Sequence, residues 1–380
     1  MKFPDSADIL IFTDWYLPGY KAGGPVVSIA HMVKALGPHM QITVVCRDRD
    51  YLDSAPFRDI ESDVWQPHGD AAVYYLSPGR SSYATIAGLV RSVNPKVIYI
   101  NGLFSKVFSI FPLFAARRGD ERVIVAPRGM LAPGALGIKP VRKRIFLIFA
   151  KMIGLYRRIE LHATHDHEAG HIRKILGSRV PVKVLPNLPS LWENEPKPAV
   201  KPAGELRVLT VARVAREKNL HFALECLVKA AETHRVSLTH IGPVYDEAYA
   251  ARCREIADGG NLKVEWLGPM PSAEIGRLYG KVHLFFLPSL SENFGHAIAE
   301  ALLHGIPVLT SDQTPWRKMQ SRGWGADFPL GRYEPYVHYI CDLADKNSDE
   351  YRVVVEGISK DVRDHLALRE TIEGYNAYFA

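Results

Sequence analysis

Two glutamates eight positions apart, Glu292 and Glu300, bracket an Asn293-Phe294-Gly295 turn in the stretch SLSENFGHAIAEALLHGIP (289–307). The run before it, KVHLFFLPS (281–289), is apolar and closed by a proline, the pattern of a buried strand. The order is strand, loop carboxylate, glycine turn, helix, second carboxylate. In an open α/β sheet, ligands sit beyond the carboxyl ends of the strands, where helix N-termini aim free N–H groups at anions. Glu292 is expected at the mouth of such a crevice, and Glu300 about one turn into the helix, facing the same ligand. Carboxylates accept hydrogen bonds from hydroxyls, so the pair suits a polyol such as ribose or a hexose.

A second group is cationic. Arg213-Val-Ala-Arg-Glu-Lys218 follows an apolar run and precedes a helical pattern. Two cations on a loop at the carboxyl edge of a strand suit a diphosphate. Gly23-Gly24-Pro25 precedes a helical pattern from Val26, and a glycine pair there lets backbone approach a phosphate closely. Tyr16, Tyr20 and Asp14 stand nearby. Arg128, in Pro127-Arg128-Gly129-Met130-Leu131, follows another strand pattern and is placed for an anion, an acceptor oxygen or a salt bridge.

These residues need a scaffold, and the chain alternates strands with helices in two series. In the first, DILIFT (8–13), QITVVC (41–46), VIYIN (97–101), RVIVAP (122–127) and VKVLP (182–186) read as strands, with helices over 26–36 and 85–93. In the second, 207–213, 237–242, 263–268, 283–288 and 307–311 read as strands, with helices over 220–232 and 273–281. Alternation of this kind implies βαβ units and parallel sheets. Five prolines in 186–205 mark an inter-domain linker. The expected domains are 1–188 and 203–364, and 361–380 has a helical pattern.

The carboxylate pair, with Pro288-Ser289, Phe294-Gly295, Ala301, Gly305-Ile306-Pro307 and Ser311-Asp312, resembles the E-x7-E signature of family 4 retaining glycosyltransferases. The resemblance spans nearly the whole chain, and PRGML resembles polysaccharide-building members. It implies an α/β GT-B fold, two Rossmann-like domains facing across a cleft, with the helix at 365–380 packing back on the first domain. It implies transfer of a hexose-type sugar from a nucleotide-diphosphate sugar to a glycan or lipid-linked glycan, with retention and with no metal or other cofactor. Glu292, Arg213 and Lys218 would be catalytic. Gly23, Gly24, Asn293, Phe294, Gly295 and Glu300 would bind the donor, and Tyr16, Asn101 and Arg128 would lie on the acceptor side. Many relatives have a histidine where this chain has Asn101. An asparagine cannot act as a general base, which favours a substrate-assisted route in which the leaving phosphate takes the acceptor's proton.

Other features set alternatives. His167-Glu168-Ala-Gly-His171 fits H-E-x-x-H, the zinc-peptidase spacing, but Gly170 sits inside the helix and no third ligand is evident. A nucleotide-sugar epimerase or a non-catalytic sugar-binding relative would share the architecture. Asp48-Arg49-Asp50 reads as a loop or acceptor-side element. Lys139 to Arg158 holds seven basic residues and no acid, with apolar residues that can form a helical stripe, the pattern of a helix lying on an anionic membrane surface. Residues 1–190 carry 25 Lys and Arg against 15 Asp and Glu, and the remainder 22 against 26, so the first half favours an anionic partner. Nucleic acid is not an expected partner. Four scattered cysteines, no leader pattern and no apolar run of membrane-spanning length suggest a cytoplasmic protein, peripheral on the inner membrane face through 139–158.

Overall fold

The computed structural model describes residues 6–137, 140–189 and 199–380. Most of the expected linker (190–198) and Lys139 of the basic stretch lie outside the described residues. The chain forms two compact units, Met1–Leu188 with Arg369–Ala380, and Pro189–Leu368.

The first unit is built on β1 (Ile9–Thr13), β2 (Ile42–Arg47), β3 (Trp65–His68), β4 (Ala71–Leu76), β5 (Val97–Asn101), β6 (Arg122–Ala126), β7 (Glu160–Ala163) and β8 (Val182–Val184). Their order across the sheet is β3-β4-β2-β1-β5-β6-β7-β8, and only β3 runs antiparallel to its neighbour. Central β1, ILIFT, is buried at every position, because helices cover both faces of a parallel sheet. The helix Leu368–Phe379 packs on this sheet. Tyr375 donates its hydroxyl hydrogen to Pro186 O at 3.1 Å, and Phe379 lies edge-on to Tyr99 at 5.7 Å. The segment 361–380 is not one helix: Ala367, at φ 42°, separates Ile358–Leu366 from Leu368–Phe379.

The second unit holds β9 (Glu205–Val211), β10 (Arg235–Ile241), β11 (Lys263–Gly268), β12 (Leu284–Leu287), β13 (Val308–Ser311) and β14 (Gly325–Phe328). All are parallel, in the order β11-β10-β9-β12-β13-β14. Both units are thus the Rossmann-like α/β domains expected. In each, the chain winds outward from a central strand and then returns to that strand's other side. The reversal falls between β1 and β5 in one sheet and between β9 and β12 in the other, which is where such sheets open a crevice at their carboxyl edge.

Candidate functional site

The reversal between β9 and β12 gathers the cations and the first glutamate. Arg213 stands two residues beyond β9. Gly242, at the end of β10, lets the chains close up, since a Cβ there would lie 1.9 Å from Ala212 O. The Arg213 guanidinium lies over the Tyr245 ring at 4.8 Å and pairs with Glu217 at 3.0 Å. Lys218 ends a short 3-10 turn, Arg216–Lys218. Asn219 follows in the left-handed region (φ 57°), and its side-chain amide donates to Pro288 O at 3.1 Å, fastening the turn to the end of β12.

That fastening brings Lys218 to Glu292. The Nζ–Oε1 distance is 2.7 Å, with side-chain exposures of 16% and 10%. Ser289, itself buried, donates to the same oxygen at 2.7 Å. Leu290 N donates to Glu217 O at 2.9 Å, so the two loops are stitched together by backbone as well. Arg213, Glu217, Lys218 and Glu292 thus share one strand edge, and a polyanion arriving there would meet two cations already oriented by carboxylates.

The turn after Glu292 is held from below. Gly295 has φ 80°, and a Cβ on it would come within 3.2 Å of the Trp316 ring and of Ile298, so glycine fits for two reasons. Trp316 Nε1 donates to Phe294 O at 2.6 Å. The helix His296–Leu303 begins at Gly295 with no side-chain cap, and first-turn N–H groups without a cap suit an anion or sugar oxygen. Glu300 lies one turn in. Its carboxyl is partly covered, and removal from water raises its pKa to about 7. Tyr279, buried beneath it, donates a long hydrogen bond of 3.5 Å to Oε2. Tyr245, Trp316 and Tyr279 were not singled out from sequence, because only tertiary packing brings them in; Ser289 was read as part of the motif, but not as the donor to Glu292.

In the first unit, the reversal between β1 and β5 carries the other expected residues. Gly23 has φ 69° and open space where a Cβ would stand, and the helix Gly24–Leu36 starts directly after it. Asp50 shapes the preceding loop by accepting from Tyr20 N (2.8 Å) and Lys21 N (3.1 Å). Tyr16 is only 2% exposed and packs edge-on to His68 at 6.1 Å, so its ring is part of the core and not presented to a ligand. Asn101, 5% exposed, is also committed to the scaffold. Its amide donates to Thr13 Oγ1 at 3.2 Å and Pro25 O at 3.5 Å, and its Oδ1 accepts from Arg128 Nε at 2.9 Å. Arg128, at φ 53°, donates further to Tyr99 OH (2.8 Å) and to Asn187 Oδ1. Its partners are neutral oxygens and not the carboxylate of a salt bridge.

His162 completes this buried network. Its Nδ1 accepts from Tyr99 OH at 2.7 Å while Nε2 donates to Leu185 O at 2.9 Å, and burial pushes its pKa down to about 3, so the ring is neutral. The H-E-x-x-H segment is likewise structural. Glu168, 3% exposed, accepts from Gly129 N (2.5 Å), Thr164 N (2.8 Å) and Thr164 Oγ1 (2.7 Å), so both carboxylate oxygens are tied into the scaffold. His165 caps the helix Asp166–Leu176, and His167 and His171 lie edge-on to each other at 4.4 Å. Among the described residues, no cluster of three or more His, Cys, Asp or Glu side chains is placed to hold a metal ion.

The chain is similar to known glycosyltransferases in sequence and in fold. Residues 193–322 match the family described as Glycosyl transferases group 1. A curated relative from Escherichia coli (strain K12), named for colanic acid biosynthesis as the glycosyltransferase WcaL, is 29% identical over 169 residues. That match covers 41% of this chain and 40% of the relative. Among solved structures, sucrose-phosphate synthase from Thermosynechococcus elongatus superposes with a TM-score of 0.68 at 17% identity, covering 98% of both chains. Anabaena HepE, described in complex with UDP and glucose, gives 0.68 at 13% identity over 97% of this chain and 98% of its own. WaaG, a glycosyltransferase involved in lipopolysaccharide biosynthesis, gives 0.67 at 11% identity over 98% and 99%. At these identities the structures establish a shared fold, that of GT-B glycosyltransferases.

Proposed function

We propose that the protein is a retaining glycosyltransferase of the family 4 type. It moves a hexose-type sugar from a nucleotide-diphosphate sugar to a glycan or lipid-linked glycan in polysaccharide biosynthesis, acting from the cytoplasmic side of the membrane. The observation that carries this reading is the Lys218–Glu292 pair, 2.7 Å apart at the β9/β12 reversal, with Arg213 beside it and Glu300 one helical turn beyond. The family match over 193–322 covers the same residues and supports it.

The diphosphate lies against Arg213 and draws Lys218 to itself. Glu292 is thereby released to accept hydrogen bonds from the donor sugar's hydroxyls. Asn293, Phe294 and Gly295 hold donor oxygens at the helix start, Glu300 takes the ribose hydroxyls, and Gly23 and Gly24 offer backbone to the donor. Arg128 serves the acceptor side. Tyr16 and Asn101 support that side by packing and tethering. As the bond from the anomeric carbon to the phosphate oxygen breaks, negative charge grows on the diphosphate and is balanced by the two cations. The acceptor hydroxyl attacks on the same face and passes its proton to the departing phosphate oxygen, so no protein base, metal or other cofactor takes part in the step.

A panel of nucleotide sugars screened by thermal stabilisation identifies the donor, because a ligand that binds the folded state raises its melting temperature. NMR of the product made with that donor should then show the donor's anomeric configuration, with transfer unaffected by chelator. An inverted product would refute retention, chelator-sensitive transfer would refute the metal-free reading, and the absence of any stabilising nucleotide sugar would refute the donor class.

A further inference from the structure

The helix Pro140–Met152 leaves an apolar face uncovered. Eleven large hydrophobic residues are exposed among those described, and five of them stand on this one helix: Val141, Ile145, Ile148, Phe149 and Met152, each more than half exposed. At about 100° per residue the five fall within an arc of about 100°. The opposite side of the helix is the one that holds it to the protein. Leu147 and Ala150 are buried there, Phe146 packs on Phe104 at 5.6 Å, and Lys143 donates to Ala135 O. The exposed stripe is therefore not the helix's core face turned outward by chance. It is a second apolar face on a helix already anchored by its first.

Charge says what covers it. Arg142 lies along one border of the stripe, and Arg144 and Lys151 along the other, all exposed. Arg157 and Arg158 follow at the helix's end, also exposed, and the sequence from Arg122 to Ile159 contains no acidic residue. A second copy of the chain seated on this face would set these cations against their duplicates. An anionic lipid surface meets both features, since hydrocarbon accepts the stripe and phosphate headgroups pair with the flanking bases. No helix among the described residues is long and apolar enough to cross a membrane, so the contact is one of lying on the surface.

We infer that the helix Pro140–Met152 is an in-plane membrane anchor, inserting Val141, Ile145, Ile148, Phe149 and Met152 among acyl chains while Arg142, Arg144 and Lys151 bind anionic headgroups. This goes beyond the transfer reaction and needs no donor or acceptor, so its test stands or falls apart from that of the activity. The intact protein is co-sedimented with vesicles of phosphatidylcholine alone or mixed with phosphatidylglycerol, at low and high salt. It should favour the anionic vesicles at least roughly tenfold, lose that preference at high salt, and show slowed hydrogen exchange over 140–152 when bound. Ile148→Glu with Phe149→Glu, both at exposed positions, should cut vesicle binding roughly tenfold or more at an unchanged melting temperature. Equal binding to neutral and anionic vesicles, or unaltered exchange over 140–152 on the vesicles, would overturn the inference whether or not the variant folds. A dimer that the double substitution dissociates, in a protein that ignores vesicles, would assign the face to a second copy instead.

Discussion

Replacing Glu300 by glutamine should stabilise the protein in the absence of donor while weakening its grip on a nucleotide sugar. Burial raises the Glu300 pKa from its ordinary 4.5 to about 7. Between those two values the folded state holds a proton that the unfolded state has released. Stability therefore falls as pH rises through this window, and the full penalty is present above pH 7. At about 1.4 kcal/mol per unit, an ionised Glu300 costs the fold about 3 kcal/mol, an upper figure because the carboxyl is only partly covered. Glutamine is isosteric and carries no charge to desolvate. Urea denaturation of both proteins across roughly pH 5 to pH 9 should show a stability difference that is smallest at the acid end, grows steadily up to about pH 7 and then levels off. Donor affinity should move the other way at pH 8, falling roughly tenfold as charge-assisted hydrogen bonds to ribose become neutral ones. A stability difference that does not vary with pH would refute the reasoning, because it would mean that Glu300 is ionised in the folded protein at ordinary acidity.

Arg213→Ala should lower kcat by roughly a hundredfold or more, because its charge is needed most as the diphosphate departs; steady-state kinetics with unchanged turnover would remove it from the mechanism. Lys218→Ala strands the partly buried Glu292 carboxylate, so it should cost about 2–4 kcal/mol of stability in urea titrations as well as activity. Gly242→Ala should destabilise the second unit by roughly 3 kcal/mol or more, visible as a lowered melting temperature, because φ is 150° and the Cβ would meet Ala212 O. His171→Ala should leave glycosyl transfer within about twofold of wild type, since the ring lies on the helix Asp166–Leu176 and supports no step; loss of transfer would reopen a role for H-E-x-x-H.

Most of the strands that sequence made legible are central ones. Buried on both faces, they appear as unbroken apolar runs, as in ILIFT of β1 and LFFL of β12. Edge strands β8 and β11 were also read, over 182–186 and 263–268, whereas β3 and β14 gave no such signal. β3 is WQPH, half exposed and interrupted by Pro67, and β14 is GADF, opened by a glycine at φ 127° that packs its backbone on Val308. The helix Glu247–Asp258 was unread because its buried positions are Tyr249, Ala250, Cys253 and Ala257, small or polar-tipped residues that make a faint stripe. At the candidate site, residue types and order were legible, whereas pairing was not. Nothing in the sequence joins Lys218 to Glu292 across 74 positions until adjacent β9 and β12 bring their following loops together. Asn101 and Tyr16 were legible as residues at a strand edge, but their burial depends on Arg128, Pro25 and His68, which reach them only in the fold. The elevated pKa of Glu300 likewise depends on enclosure that no local pattern records.

The most direct measurement is a crystal structure of the protein with the nucleotide sugar that stabilises it. The diphosphate should lie within hydrogen-bonding distance of Arg213 and Lys218, the ribose against Glu300, and the sugar hydroxyls against Glu292. A donor seated away from the edge of β9 and β12, or one that leaves the Lys218–Glu292 pair closed, would contradict the mechanism.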